Sequence, residues 1–183
     1  DTDGVIVDFI TPFLEFHKTN FKYSNVYSHD LWHVLGCTPE ESDARLDAFH
    51  DSPRFETMKP IEGAIEAMRF LTARSEVAVI TSRPLDYKQK TLQFFNRYFP
   101  PFKAVRFAEE FPHHPEFPDL SRKAHYCEQV RPEIFFEDHA KTARDCSPYC
   151  GRILMFNQPW NKNQYLPGNV IRVNSWAEVL KKI

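Results

Sequence analysis

Asp1-Thr2-Asp3-Gly4-Val5 places two carboxylates, separated by one residue, on a turn that contains glycine. Such carboxylates can share one divalent cation, and one can attack a substrate while the other transfers a proton. A turn of this kind normally follows a buried strand, so we expect an apolar strand to precede Asp1 in the natural protein. Acidic pairs also occur on solvated turns, so the meaning of this pair depends on the rest of the sequence.

The composition indicates one domain with a substantial core and no surface for a polymer partner. The chain has 183 residues, of which 42% are hydrophobic and 15% aromatic. A formal net charge of −2 provides no basic field for nucleic acid or membrane. No apolar run is long enough to span a bilayer. The four cysteines lack a strong metal-ligand spacing and are typical of reduced thiols, so we expect a cytoplasmic protein.

Apolar runs and helical periodicities alternate through most of the chain. Strands are predicted over 76–80, 104–107, 133–136, 152–156 and 170–173. Helices are predicted over 60–74, 84–98, 119–130, 140–146 and 176–182, with a loop over 108–118. Because strands alternate with helices, the expected fold class is α/β, with a parallel sheet flanked by helices.

Residues 11–59 differ in composition from the rest of the chain, since they are rich in both aromatic and charged side chains. A helix is predicted over 39–49, with Thr38 or Ser42 as its cap. We interpret 11–59 as a small helical cap inserted into a core formed by 1–10 and 60–183. A helical layer of the core itself is the alternative interpretation. If the cap closes over a nucleotide base, the candidates for stacking are Phe13, Phe16, Trp32 and Phe55.

Polar side chains follow two of the predicted strands. Thr81 and Ser82 end the 76–80 strand, and Glu137 and Asp138 end the 133–136 strand. Because the carboxyl ends of parallel strands share one edge of a sheet, we expect these residues to meet the opening pair there. This convergence is stronger evidence for a site than any single pair.

The residue types at that edge suit phosphate chemistry with a hard cation. Mg²⁺ prefers oxygen ligands, which the Asp1 carboxylate, the Asp3 backbone carbonyl and Asp138 can supply. Thr81 can donate to a phosphate, and Lys123 can place a positive charge against the same group and keep Asp1 ionised.

In order and spacing, these elements resemble the four motifs of the haloacid dehalogenase (HAD) superfamily. The matching elements are Asp1-x-Asp3-Gly4-Val5, the strand ending at Thr81, Lys123, and Glu137-Asp138. The resemblance covers nearly the whole chain and implies a Rossmann-like core with a cap after the first motif. Three further stretches are similar to the 5'(3')-deoxyribonucleotidase-like subgroup: Asp8-Phe9, Thr81-Ser82-Arg83-Pro84 and residues 154–161.

The resemblance implies a Mg²⁺-dependent phosphatase that acts through an aspartyl-phosphate. Asp1 would be the nucleophile, and Asp3 would protonate the leaving alcohol and then activate water. Ser82 would hold the phosphate together with Thr81 and Lys123. Glu137, which stands where the subgroup often has aspartate, would support the metal ligand Asp138.

The expected substrate is a small phosphomonoester, with (deoxy)nucleoside monophosphates as the best candidates. Asp3 favours phosphate esters, because the superfamily's dehalogenases lack this second aspartate. A phosphotransferase and a catalytically weak phosphate-binding module remain alternatives. Arg83 could contact substrate or pair with a carboxylate, and His139 could line the site or simply start a helix. Asn161 could touch substrate or belong to a polar turn.

Overall fold

The computed structural model describes residues 1–114 and 116–183, so residue 115 of the predicted 108–118 loop lies outside the described residues. The strands are β1 (Val7–Asp8), β2 (Lys59–Pro60), β3 (Ala78–Thr81), β4 (Ala104–Phe107), β5 (Ile134–Glu137), β6 (Arg152–Phe156) and β7 (Val170–Val173). The helices are α1 (Ile10–Phe16), α2 (Leu31–Leu35), α3 (Pro39–His50), α4 (Pro53–Glu56), α5 (Ala64–Thr72), α6 (Lys88–Tyr98), α7 (Arg122–Val130), α8 (Ala140–Cys146) and α9 (Trp176–Val179).

The longer strands form two parallel groups. Strands β5, β6 and β7 pair in that order, and β3 pairs with β4. The register places Ile134 beside Arg152 and Ala78 beside Ala104. Mostly buried, apolar strands covered by helices are what a parallel arrangement requires. The prediction of an α/β fold with parallel sheets flanked by helices is confirmed.

The opening stretch lies beside the carboxyl end of β5. The Asp1 backbone nitrogen donates to the Phe136 carbonyl at 2.8 Å. The Thr2 carbonyl then accepts the N–H groups of Val5, Ile6 and Val7 at 3.3, 2.9 and 3.0 Å. The chain therefore turns sharply after Asp3, and both aspartates stay close to the end of this strand.

Three predicted helix starts are wrong. The helix predicted from residue 84 begins as α6 at Lys88, after a single 3-10 turn over Leu85–Tyr87. Pro60, predicted to open a helix, instead pairs with Val7 in the short antiparallel contact between β1 and β2. Helix α5 begins only at Ala64, after Gly63 has turned the chain with a φ of 78°. Helix α7 begins at Arg122 rather than 119, because the Ser121 hydroxyl caps it by accepting the Lys123 N–H.

The segment 11–59 folds into helices whose inner face is aromatic. Thr38, not Ser42, caps α3 in a reciprocal capping box with Glu41. Phe49 packs edge-on against Phe9 and Phe13, with ring centroids 5.2 and 5.6 Å apart. These rings belong to the hydrophobic cluster that also holds strand and helix residues of 60–183. The division into core and cap stays a prediction.

A second hydrophobic cluster lies between α7, α8 and the strands β5 and β6. It contains Cys127, Cys146 and Cys150, which are buried free thiols. No helix in the part of the chain that the structure describes is long and apolar enough to cross a membrane.

Trp176 ties the last helix to the opening stretch. Its side chain is fully buried, and its indole nitrogen donates to the Val5 carbonyl at 2.9 Å. Its ring packs against Phe136 and Phe156, with centroids 5.1 and 4.9 Å away. One residue therefore fixes the turn after Asp3 against both β5 and β6.

We predict that Trp176→Ala lowers the free energy of unfolding by about 3–5 kcal/mol, because it leaves a cavity and an unpaired buried carbonyl. Urea denaturation followed by circular dichroism measures the change. The control is Tyr165→Ala, since that side chain is 78% exposed, and it should shift stability by less than about 0.5 kcal/mol. Equal effects of the two variants would contradict the role assigned to Trp176.

Candidate active site

A cavity of about 630 Å³ opens at the carboxyl ends of β3 and β5. Its lining includes Asp1, Asp3 and Asp138 together with residues of the 11–59 segment. Of the residues expected at this edge, Ser82, Lys123 and Glu137 also line the cavity. The structure thus brings residues distant in sequence into one concave site.

Three carboxylates form a compact acidic cluster. Asp1, Glu137 and Asp138 each offer an oxygen atom, and these atoms lie within 4.8 Å of one another. Glu137 is fully buried and Asp138 is 3% exposed. Burial and the neighbouring charge of Glu137 raise the pKa of Asp138 well above its ordinary value. Oxygen donors this close, with surplus negative charge, fit a hard divalent cation.

Lys123 is the ammonium that holds this cluster together. Its Nζ lies 2.7 Å from Asp1 Oδ1 and 3.1 Å from Glu137 Oε2, and the residue is 3% exposed. Burial alone would raise the pKa of Glu137, but Lys123 and the N–H groups of Asp138 and His139 lower it below its ordinary value. Lys123 is therefore not a solvated helix lysine.

Residue 4 must be glycine for two reasons: its backbone conformation and the lack of room for a side chain. Its φ is 75°, a region that side chains disfavour. A Cβ added here would meet Asp138 Oδ2 at 2.2 Å. The absence of a side chain at residue 4 therefore lets the Asp138 carboxylate approach the opening turn.

The segment after β6 fixes Asp138 and the turn from the other side. The Trp160 indole donates to Asp138 Oδ2 at 3.1 Å, and Asn161 Nδ2 donates to the Asp138 carbonyl at 2.6 Å. Gln158 Nε2 donates to the Gly4 carbonyl at 2.8 Å and accepts from the Tyr23 hydroxyl. Asn161, 1% exposed, is thus a buried scaffold residue and not part of a solvated turn.

Arg83 pairs with Asp3. Its Nε and Nη2 donate to the two oxygens of the Asp3 carboxylate at 2.9 and 2.7 Å. The sequence left two roles open for Arg83, and the structure shows the one in which it pairs with a carboxylate. The pair lies on the cavity wall beside the acidic cluster, but the Asp3 carboxylate is not one of the cluster's three.

Comparison with known proteins identifies the family of the chain. Residues 1–183 match the family described as 5' nucleotidase, deoxy (pyrimidine), cytosolic type C protein. The chain belongs to this nucleotidase family. No curated protein matches it.

Solved structures of HAD-superfamily proteins share the fold of this nucleotidase-family chain. A haloacid dehalogenase-like hydrolase from Streptococcus pneumoniae has a TM-score of 0.64 at 13% identity, covering 100% of this chain and 95% of that one. A HAD-superfamily hydrolase of subfamily IA, variant 1, from Geobacter sulfurreducens has a TM-score of 0.54 at 21% identity, covering 100% and 93%. A Bacillus subtilis protein described as a HAD-hydrolase and bound to magnesium has a TM-score of 0.62 at 14% identity, covering 100% and 95%.

Thr81 and Ser82, the two strand-end residues predicted to hold phosphate, differ in their exposure in this nucleotidase-family chain. Ser82 is exposed and lines the cavity, while Thr81 is fully buried. The Thr81 hydroxyl accepts the Arg83 N–H at 3.2 Å and so shapes the turn that presents Ser82. Whether Thr81 also donates to a phosphate stays a prediction.

Of the four aromatic candidates in the 11–59 segment, Trp32 lines the cavity. Phe13 and Phe55 are 0% and 2% exposed and pack in the core. The prediction that they could stack on a ligand is therefore wrong. Phe16 packs on Phe49, with centroids 5.7 Å apart.

A histidine pair that the sequence did not predict also lines the nucleotidase cavity. His29 and His139 stack with ring centroids 3.9 Å apart. Burial and the adjacent His29 lower the pKa of His139 to about 4. His139 therefore both lines the site and precedes α8, the two roles the sequence had left as alternatives.

Gly4→Ala is expected to abolish binding of a divalent cation, because the added Cβ displaces the Asp138 carboxylate. Calorimetric titration with Mg²⁺ or Mn²⁺ measures this. Gly36→Ala is the matched control, since Gly36 also has a positive φ, of 63°, but nothing lies within 4 Å of an added Cβ. Wild-type cation affinity in Gly4→Ala would show that the close approach does not matter.

Proposed function

We propose that the protein is a Mg²⁺-dependent phosphomonoester hydrolase that acts on (deoxy)nucleoside monophosphates through an aspartyl-phosphate on Asp1. The observation that carries the proposal is one cavity in which Asp1 contacts Lys123 at 2.7 Å and whose lining also contains Asp3 and Asp138. Membership of the nucleotidase family supports the substrate class. The magnesium in the Bacillus subtilis structure supports the choice of cation.

The acidic cluster would hold the cation through Asp1, Asp138 and the Asp3 backbone carbonyl, with Glu137 in support. Its donors fit, because three close carboxylates face one ammonium. When bound, Mg²⁺ supplies charge that draws the phosphate to the site and neutralises its oxygens.

The reaction would proceed in two halves. The Asp1 carboxylate attacks phosphorus, the bond from phosphorus to the ester oxygen breaks, and Asp3 gives its proton to that oxygen. Asp3 then takes a proton from water, whose oxygen attacks the aspartyl-phosphate and releases inorganic phosphate. Lys123 and Ser82, with Thr81 beside them, would hold the phosphoryl oxygens.

Residues 11–59 would act as a cap that encloses the rest of the substrate, with Trp32 as the candidate for stacking. A cavity of about 630 Å³ suits a small ligand. The proposed location is the cytoplasm, for which the support is the cytosolic type in the family description.

We predict that Asp1→Asn lowers turnover by roughly 10³-fold or more, because an amide is a poor nucleophile. Release of inorganic phosphate from a panel of nucleotides and sugar phosphates measures turnover, with Mg²⁺ and with EDTA. Asp119→Asn, at an exposed loop residue outside the cavity lining, is the control. Acid quenching with radiolabelled substrate should trap label on the wild-type protein and none on Asp1→Asn.

The same assay separates the alternatives. A phosphotransferase would pass most of its phosphate to an added acceptor alcohol rather than to water. A binding module would bind nucleotides without phosphate release, with or without Mg²⁺. Either result from wild-type protein would overturn the proposed hydrolysis.

The charges of the cavity predict a preference for monophosphates over diphosphates. Among the described lining residues the lysines and arginines are Lys123 and Arg83, and both are already paired with carboxylates. Three further acids line the cavity: Asp30, Asp43 and Asp47. A second phosphate would meet these carboxylates without a cation of its own. We expect kcat/KM for a nucleoside monophosphate to exceed that for the diphosphate by roughly tenfold or more, and equal values would contradict this view of the cavity.

A further inference from the structure

Each nitrogen of the Arg83 guanidinium already has a partner within the protein. Two nitrogens are directed to the two oxygens of Asp3, and Nη1 lies 3.4 Å from the Thr91 hydroxyl. A bidentate fork of this kind fixes the plane of the carboxylate as well as its position. The contact therefore determines how Asp3 is presented to the cavity.

The guanidinium is itself held rigidly. The Arg83 side chain is 2% exposed. The guanidinium carbon lies 4.7 Å from the centroid of the Phe55 ring and 5.9 Å from that of Phe94. Phe55 comes from α4 in the 11–59 segment, whereas Phe94 comes from α6. Two parts of the chain thus set the position of the guanidinium before any substrate binds.

The pairing also separates two groups of charges. Lys123 contacts Asp1 and Glu137, whose oxygens cluster with that of Asp138. The Asp3 carboxylate has Arg83 as its own partner, and 29% of its side chain remains exposed. An unpaired Asp3 would be free to turn toward a cation bound by the cluster. The fork keeps this carboxylate apart and leaves part of it open to the cavity.

We propose that Arg83 is a positioning residue that holds the Asp3 carboxylate for proton transfer to the leaving oxygen. The proposal rests on the proposed function. In the step concerned, Asp3 first takes up a proton from solvent through the part of its side chain that is exposed. The bond from phosphorus to the ester oxygen then breaks, and this proton moves from the Asp3 carboxyl to that oxygen. Arg83 itself neither gains nor loses a proton and does not touch the substrate.

The test uses two esters that differ in their need for a proton. An alkyl ester such as a nucleoside 5'-monophosphate releases a basic alkoxide, whereas p-nitrophenyl phosphate releases a stable phenolate without protonation. In Arg83→Met, kcat/KM for the alkyl ester should fall by about 10²-fold, within the usual range for general acid catalysis. For p-nitrophenyl phosphate it should fall by no more than about fivefold, because that ester barely uses the Asp3 proton.

Two further variants make the test specific. Arg83→Lys keeps the charge but loses the fork, and it should show the same ester-dependent loss on a smaller scale; it also carries the test if Arg83→Met fails to fold. Arg74→Met is the matched control, because Arg74 is also stacked on a phenyl ring, with its guanidinium 3.8 Å from Phe70, but lies on the exposed surface. Its kcat/KM values should equal those of the wild type.

A double-mutant cycle with Asp3→Asn gives the second readout. If Arg83 acts through Asp3, adding Asp3→Asn to Arg83→Met should cost the alkyl ester far less than it costs the wild type. Equal loss on both esters, or fully additive losses in the cycle, would overturn the inference while leaving the proposed function intact. If wild-type protein releases phosphate from neither ester, the proposed function is wrong and the inference about Arg83 falls with it.

Discussion

The contact on which the site depends is the buried ammonium of Lys123 between Asp1 and Glu137. Carboxylates removed from water are unstable unless opposite charge or hydrogen bonds compensate them. Here three carboxylates share one ammonium, which leaves two negative charges in excess when all are ionised. A divalent cation would balance that excess. Burial and the neighbouring charge of Glu137 in this arrangement explain why the pKa of Asp138 lies well above its ordinary value.

The 11–59 segment contacts both the Arg83–Asp3 pair and the opening turn. Through Phe55 it packs on the guanidinium that holds Asp3. Through Tyr23, which donates to Gln158, it reaches the carbonyl of Gly4 in the opening turn. A segment with these two contacts does more than line the cavity, because its placement affects both the Arg83–Asp3 pair and the opening turn. If substrate contacts 11–59 as proposed, a change in those contacts would act on the proposed chemistry without touching the reacting atoms.

Much of the fold and the edge at which the site forms could be predicted from the sequence. Apolar runs that end in polar residues, such as those before Thr81 and before Glu137-Asp138, reveal parallel strands and their carboxyl ends. Predicted element boundaries were wrong where strand pairing overrode the local preference of the sequence. Pro60, for example, pairs with Val7 instead of starting a helix. Helix α7 began late because a hydroxyl cap at Ser121 set its start.

The partners of individual side chains were harder to predict than the elements that carry them. The direction of Arg83 depends on Phe55, Phe94 and Asp3, which come from three separate elements, so no local pattern could decide between its two roles. The buried Asn161 looked like part of a polar turn because its acceptors, the carbonyls of Asp138 and Phe156, are backbone groups without a sequence signature. Phe13 and Phe55 failed as stacking candidates for a related reason, since a ring that stacks on a ligand and a ring in the core are the same residue type in the sequence.

Gly4 belongs to a local turn motif, but its identity also depends on a residue distant in the sequence, Asp138. From the sequence alone, a glycine after two aspartates indicates a turn, and its φ of 75° agrees with that. A residue such as asparagine, which tolerates this conformation, would satisfy the turn. It would still fail here, because any Cβ at this position lies 2.2 Å from an oxygen of Asp138, at the far end of another strand. The glycine is thus set by the approach of two acidic loops, since Asp138, held by Trp160 and Asn161, occupies the space beside the opening turn.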